Sequence, residues 1–384
     1  MTLSIFLFLF FLVLPLHGLR ADVIDNVALL YRATYEQADN TVHKWGEEQL
    51  NGADLAVDYF QKFYPKFYVR LKKIGYSNKP LSIQKAIKEA QKDEIDFFTG
   101  IPWSNDILEA LPLIAQKNNN ILSAMATSSR LSSNQRVISI APSNEDLIKI
   151  LFSNLRKRKI LCNQFHIAYA ADDEYSLDLL EIIGRNFQSI TKGDHLNTVA
   201  FLTKNTTIPK DLMNHLDNLK EDDCLFVASP NEFEAGTIIG HIAKENMPLV
   251  LGSDSFGESG SSLWPLVPEK KRKFVQGYSV FPWSLENTDP LFNAFLNLHK
   301  KRYTSYPEGM GFYTFKAVLA SLLIRANYSG SKKIPISDII KDPTVREHLQ
   351  KHNIEFTQDG YGKYPISTIY LKAGQHIRLE EKDT

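Results

Sequence analysis

Cysteine is almost missing from this chain: Cys162 and Cys224 are the only two in 384 residues. Their spacing fits no zinc knuckle and no CxxC redox pair, which excludes metal-ribbon and thioredoxin-like chemistry. An excess of either charge is missing too. Lys+Arg and Asp+Glu both number 44, so the chain offers no electrostatic footprint to a polyanion, and no nucleic acid is expected as a partner. The basic runs RKRK (156–159) and KKRK (270–273) lack interleaved aromatics and read as solvated ends of elements. No GxSxG, P-loop or GxGxxG sequence occurs. His348 and His352 have the i, i+4 spacing of a zinc helix, but Glu347 precedes the first histidine and no third ligand follows, so a solvated helix face is expected there. No nucleophile with a plausible base emerges. The expectation is a protein that is not an enzyme and carries no metal or cofactor.

What is present is a globular composition. At 43% hydrophobic and 11% aromatic, the chain can bury a large core, and its length suits about two domains. The apolar run IFLFLFFLVL (5–14) is too short for a membrane span of about 20 residues. No lysine or arginine precedes it, yet with the neck at 15–21 it reads as a cleavable leader. Residues 1–21 are therefore expected to be a signal peptide, and the rest a periplasmic or, alternatively, secreted protein. Export permits a disulfide between Cys162 and Cys224 without requiring one. Adjacent strands would bring the two close, but Cys162 precedes its strand while Cys224 begins its own. Counted along an extended chain, that offset of about 10 Å argues against a bond.

From Asp22 onward, strands and helices alternate. NVALLYRAT, FYVRLKKIGYS, IDFFTGI and NILSAMATS read as strands separated by amphipathic helices. After APSNEDLIKIL the pattern restarts with QFHIAYA, HLNTVAFLTK, DCLFVAS and PLVLGSD. Two such runs imply an α/β protein of two Rossmann-like lobes with parallel sheets. The expected first lobe is 22–142 plus 277–356, and the second is 143–276 plus 357–384. They are joined by a hinge that the chain crosses more than once.

In open α/β sheets ligands sit beyond the carboxyl ends of strands, where helix N-termini present N–H groups. Here the strands end in small, polar segments: TGIPWSND, SAMATSS and LGSDSFG. Ser104 is expected to cap the helix after the first of these, with Asp106 in its first turn. Trp103, Ala126 and Trp283 fall near the same cleft. Asp173, in the run Asp172-Asp173-Glu174, is expected to cap the following helix.

The order GADLAVDYF, DFFTGIPWSNDILEALPLI, ILSAMATSSRLS, APSNEDLIKIL, IAYAADDEYSLDLL and PLVLGSDSFG resembles the type I periplasmic substrate-binding proteins. Within them it is similar to the branched-chain amino-acid (leucine/isoleucine/valine) binding family of ABC importers, over residues 26–371. The resemblance implies a small ligand, an amino acid or derivative, held between two hinged lobes. It places Ser104, Met125 and Thr127 around the ligand's carboxylate, Asp254 on its ammonium, and Tyr175 closing over it. The partner it implies is the membrane permease of an ABC importer; the alternative is a membrane sensor, a kinase or cyclase, driven by the same closure. The chain departs from the family at several positions. Tyr175 is followed by Ser176 where glycine is common, Met125 replaces an alanine, Asp254 is a methylene shorter than the usual glutamate, and the first loop lacks the usual proline and glycine signals.

Overall fold

A computed structural model describes residues 22–34, 44–203, 208–245, 247–257, 260, 262–282, 289–307, 309–328, 330–331 and 333–379. The expected leader, 1–21, and Trp283 lie outside these residues.

The first half of the chain runs β1 (Asp22–Ile24), β2 (Val27–Thr34), α1 (Lys44–Phe63), β3 (Phe67–Val69), β4 (Lys72–Ser77), α2 (Ser82–Lys92), β5 (Phe97–Thr99), α3 (Ser104–Lys117), β6 (Asn120–Ser123) and β7 (Val137–Ser139). Five of these strands form a parallel sheet in the order β4-β2-β5-β6-β7. Period-2 alternation divides their side chains between two apolar layers. Leu29, Phe97 and Leu122 face one core, while Ala28, Leu30, Phe98 and Ile121 face the other. The stretch FYVRLKKIGYS, read as one strand, is two. After Val69 the chain turns, so that β3 pairs with β1 in a separate parallel ribbon while β4 joins the main sheet.

The second half runs α4 (Asn144–Lys157), β8 (Phe165–Ala170), α5 (Glu174–Asn186), β9 (Leu196–Phe201), α6 (Lys210–Asp217), β10 (Cys224–Ala228), α7 (Glu232–Ile242), β11 (Leu249–Leu251), α8 (Glu269–Arg272) and β12 (Gln276–Phe281). It continues through α9 (Pro290–Arg302), α10 (Gly309–Asn327), α11 (Ile336–Ile339), α12 (Pro343–Lys351), β13 (Ser367–Lys372) and β14 (Gln375–Leu379). A seven-stranded sheet follows the order β14-β13-β12-β11-β10-β8-β9. Its first five strands in sequence are parallel, and the C-terminal hairpin β13-β14 is added antiparallel at one edge. The return to the first lobe comes later than the expected residue 277. β12 is hydrogen-bonded between β11 and β13, so residues 277–281 belong to the second sheet.

The helices α9, α10 and α12 then pack on the first sheet's core, with Phe292, Phe295, Phe312 and Phe315 buried among them. α10 lies so close to α1 that a Cβ on Gly52 would stand 2.1 Å from the carbonyl oxygen of Gly311, so only glycine permits the approach. His352, expected on a solvated face, instead follows the end of α12 and packs edge-on against Tyr59 and Phe63. The crossing segments are tightly joined. Ser139 N donates to Gly360 O at 2.9 Å and Gly362 N to Ala141 O at 3.1 Å. A Cβ on Gly362 would fall 1.8 Å from Ile140 O.

At the amino ends of the second sheet's strands, Cys162 and Cys224 are disulfide-bonded with Cα atoms 5.5 Å apart. The strand offset expected to separate them is cancelled before β8. Cys162 bridges to Thr191, Asn163 N donates to Asp222 O, and Cys224 N donates to Gln164 O, so residues 162–164 fold across β10 rather than extending away from it.

Candidate functional site

The carboxyl ends of both sheets carry the polar residues that the sequence singles out. On the first sheet, β6 ends at Ser123. Its hydroxyl donates to Ile101 O at 2.6 Å and accepts from Ala126 N at 3.0 Å, closing the turn in which the small residues of SAMATSS are needed. Ala126 is buried in the core beneath α3, and Met125 packs partly against the opposite core. Thr127 is 3% exposed, and its carbonyl accepts from Asn144 N at 2.8 Å across the crossing into the second half. Trp103, rather than Ser104, stands at the N-cap of α3, because its extended backbone (φ −106°, ψ 141°) immediately precedes the helix. Ser104 opens the helix, and its hydroxyl accepts from Ser128 N at 3.2 Å, tying the loops after β5 and β6 together.

On the second sheet, Asp173 caps α5 as expected, accepting from Ser176 N at 3.0 Å. This cap puts Tyr175 in the first turn. There its hydroxyl donates to Asp254 Oδ1 at 2.7 Å and touches Ser253 Oγ in the loop after β11. Burial raises the Asp254 carboxyl above its ordinary range, with the Tyr175 hydrogen bond opposing the shift. Burial, then the Asp254 charge, pushes the Tyr175 phenol well above its usual value. Both residues keep partial solvent exposure, although protein atoms crowd their polar ends.

The two halves meet at a polar seam. Asn105 Nδ2 donates to Asp173 Oδ2 at 2.6 Å, and Glu174 N donates to Asn105 Oδ1 at 2.8 Å. Arg130 pairs with Glu174 at 2.6 Å and also with Glu181. Ser129 N and Asn144 Nδ2 donate to the buried Asp178 at 2.9 and 2.7 Å. The seam brings the start of α3, at Asn105, against the start of α5, at Asp173 and Glu174. The structure thus makes two groupings, Ser104 with the loop of Thr127 through Ser128 N, and Tyr175 with Asp254.

A further cluster escaped the sequence reading. Arg32, at the end of β2, is 6% exposed. Its guanidinium donates to Asp106 Oδ2 at 2.7 Å, and Tyr76 OH donates to the same oxygen at 2.8 Å. The guanidinium carbon lies 4.5 Å from the centre of the Trp103 ring, and Trp103 meets Trp45 with centroids 5.6 Å apart. The available signal was one charge at the end of an otherwise apolar strand, VALLYRAT. A buried cation of that kind requires an anionic partner.

Glu234 adds a titrating group near the seam. Its carboxylate accepts from Ser229 Oγ at 2.8 Å, and burial raises its pKa from the ordinary 4.5 to about 7, with Asp173 and Asp172 adding to the shift. A carboxyl whose folded-state pKa is raised contributes stability that is fully present below about 4.5 and is lost as pH rises through about 7. Discounted for partial exposure, Glu234→Gln is expected to raise stability by about 2 kcal/mol at pH 8 and to leave it unchanged at pH 4. Urea melts of both proteins at the two pH values check this; a shift of equal size at both would show that charge is not the cause.

Among the described residues, no group of three or more His, Cys, Asp or Glu side chains is arranged to hold a metal, and no helix is long and apolar enough to cross a membrane. No protein-family model matches the chain, and no curated protein does. Its three-dimensional structure is similar to that of the leucine-binding protein LivK from Thermotoga maritima MSB8 (TM-score 0.71, 13% identity, covering 94% of this chain and 100% of that one). It is also similar to the branched-chain amino acid transporter substrate-binding protein LivJ from Streptococcus pneumoniae in complex with isoleucine (0.67, 14%, 92% and 99%). A solute-binding protein of an ABC transporter from R. palustris, in complex with 4-hydroxybenzoate, matches as well (0.68, 12%, 94% and 96%). At these identities the shared property is the fold: this chain has the two-lobed type I periplasmic binding-protein fold.

Proposed function

We propose that the protein captures a small solute carrying both an amine and a carboxylate, an amino acid or close derivative, between its two lobes and delivers it unchanged to the permease of an ATP-driven importer. The observation that carries this reading is the pairing of Asp254 with Tyr175, set opposite the start of α3 by the Asn105–Glu174 contact. Burial works against the charge on Asp254, and a ligand ammonium would compensate it. On the facing lobe, the first turn of α3 and the hydroxyl-rich loop of Thr127 suit an anion. A ligand with both charges would bridge the seam, and closure would follow from its better fit to the closed state. In this reading the protein acts outside the cytoplasm, after removal of residues 1–21. Importer binding proteins among its structural neighbours favour transport over signalling.

A thermal-shift screen of amino acids, amides, short peptides and sugars tests the proposal. At about 100 times its Kd, a ligand adds ~2.7 kcal/mol of stability. Amino acids are expected to shift the transition. Stabilisation by uncharged compounds alone would refute the two-charge site.

A further inference from the structure

The indole of Trp103 is half-buried on the first sheet, against the Arg32 side chain of β2 and the Trp45 ring. It stands between β5 and α3, and neither it nor Trp45 belongs to the apolar clusters on either face of that sheet. Both rings remain half-buried. Topology puts them on the cleft side, since α1 begins beyond the carboxyl end of β2 and α3 beyond that of β5. Trp103 is also adjacent to Ser104 and two residues from Asn105, which bonds the opposite lobe.

The ring is held firmly. Arg32 covers it at 4.5 Å, and Arg32 is itself fixed by Asp106, which also accepts from the Tyr76 hydroxyl. The Tyr76 ring lies 5.1 Å from the same guanidinium carbon. A buried cation between two aromatic rings and answered by a carboxylate is a costly arrangement. It does, however, remove the rotamer freedom of an indole next to the ligand groups. A rigid aromatic surface is the feature that binds flat partners with little loss of entropy.

We infer that Trp103, held by Arg32, forms an aromatic wall of the ligand site and that the solute carries an aromatic ring, as an aromatic amino acid does. This rests on the solute-binding reading above and narrows it. Calorimetric titration of the full protein with L-phenylalanine and L-tyrosine, against L-leucine and L-isoleucine, tests it. The aromatic compounds are expected to bind more tightly. Trp103→Leu should weaken them about tenfold while changing leucine less than about twofold, and Trp103→Phe, which keeps a ring face, should restore most of the loss. Circular dichroism and the unliganded melting temperature establish that each variant is folded. Tighter binding of the aliphatic amino acids, or an equal loss for both groups in Trp103→Leu, overturns the aromatic wall and leaves the solute-binding reading intact. If no compound of either group binds, the inference falls, whereas the solute-binding reading fails only if the wider thermal-shift screen of amino acids, amides, short peptides and sugars also finds no stabilising compound.

Discussion

Replacing both cysteines by alanine is expected to lower the stability of the protein by about 4 kcal/mol, because the Cys162–Cys224 bond closes a loop of sequence separation 62 and restricts the unfolded chain accordingly. Alanine is the appropriate substitution. Both sulfurs are buried in the apolar layer with Phe165, Phe226 and Leu155, where a serine hydroxyl would add an unpaired polar group. The loop encloses β8, α5, β9 and α6, so the bond constrains much of the second sheet. It lies at the amino ends of β8 and β10, opposite the edge that carries Tyr175 and Asp254. The loss should therefore appear in the denaturation midpoint and not in ligand affinity once the variant is folded. Thiol counting on the denatured, unreduced protein should find no free thiol; two free thiols would exclude the bond, and an unchanged midpoint would show that it does not stabilise the fold.

That bond also marks where the sequence stops being informative. Strand identity was legible because buried parallel strands alternate their faces over runs such as VALLYRAT and CLFVA, and the restart after Pro142 is a local change of pattern. Distances across strands were not legible in the same way. An offset of about 10 Å holds only for a straight chain before Phe165, whereas residues 162–164 fold toward β10 through hydrogen bonds to Asp222, Ile190 and Cys224. The break of FYVRLKKIGYS has a similar origin. β3 leaves the main sheet because β1, far earlier in the chain, offers an alternative partner, with Arg70 N bonded to Ile24 O at 2.8 Å.

The site divides along the same line. Asp173 as a cap is a short-range property, readable from its position before EYSLDLL. The junction of Asn105 with Asp173 and Glu174 spans nearly 70 residues, and nothing periodic announces it. Arg32 and Asp106 are separated by 74 residues and were visible only as two isolated charges. Ser104 shows the remaining difficulty. Its position was legible, but its hydroxyl already accepts from Ser128 N, so residue type and place in the fold do not determine which partner a side chain takes.

Asp254→Asn is expected to weaken an amino-acid ligand roughly 10- to 150-fold, the range for losing a charge-assisted hydrogen bond. The same substitution should not harm the unliganded protein, and this asymmetry separates a binding role from a structural one. Burial raises the Asp254 carboxyl in the folded state. Its contribution to stability is therefore fully present below the unfolded pKa and is lost as pH rises through the folded value, which makes the ionised carboxylate a net cost near neutral pH. Asparagine removes that cost and retains an oxygen to accept from the Tyr175 hydroxyl, now 2.7 Å from Asp254 Oδ1. The unliganded melting temperature at pH 7 should stay level or rise, while the ligand-induced increase shrinks. Thr127→Ala should weaken the ligand less, because backbone N–H groups can take over part of its role. Paired melts with and without ligand read both quantities. An Asp254→Asn protein that melts lower when unliganded yet binds the amino acid as tightly as the wild type would show Asp254 to be a structural partner of Tyr175 and would move the ammonium contact to another carboxylate near the seam, such as Asp173 or Glu234.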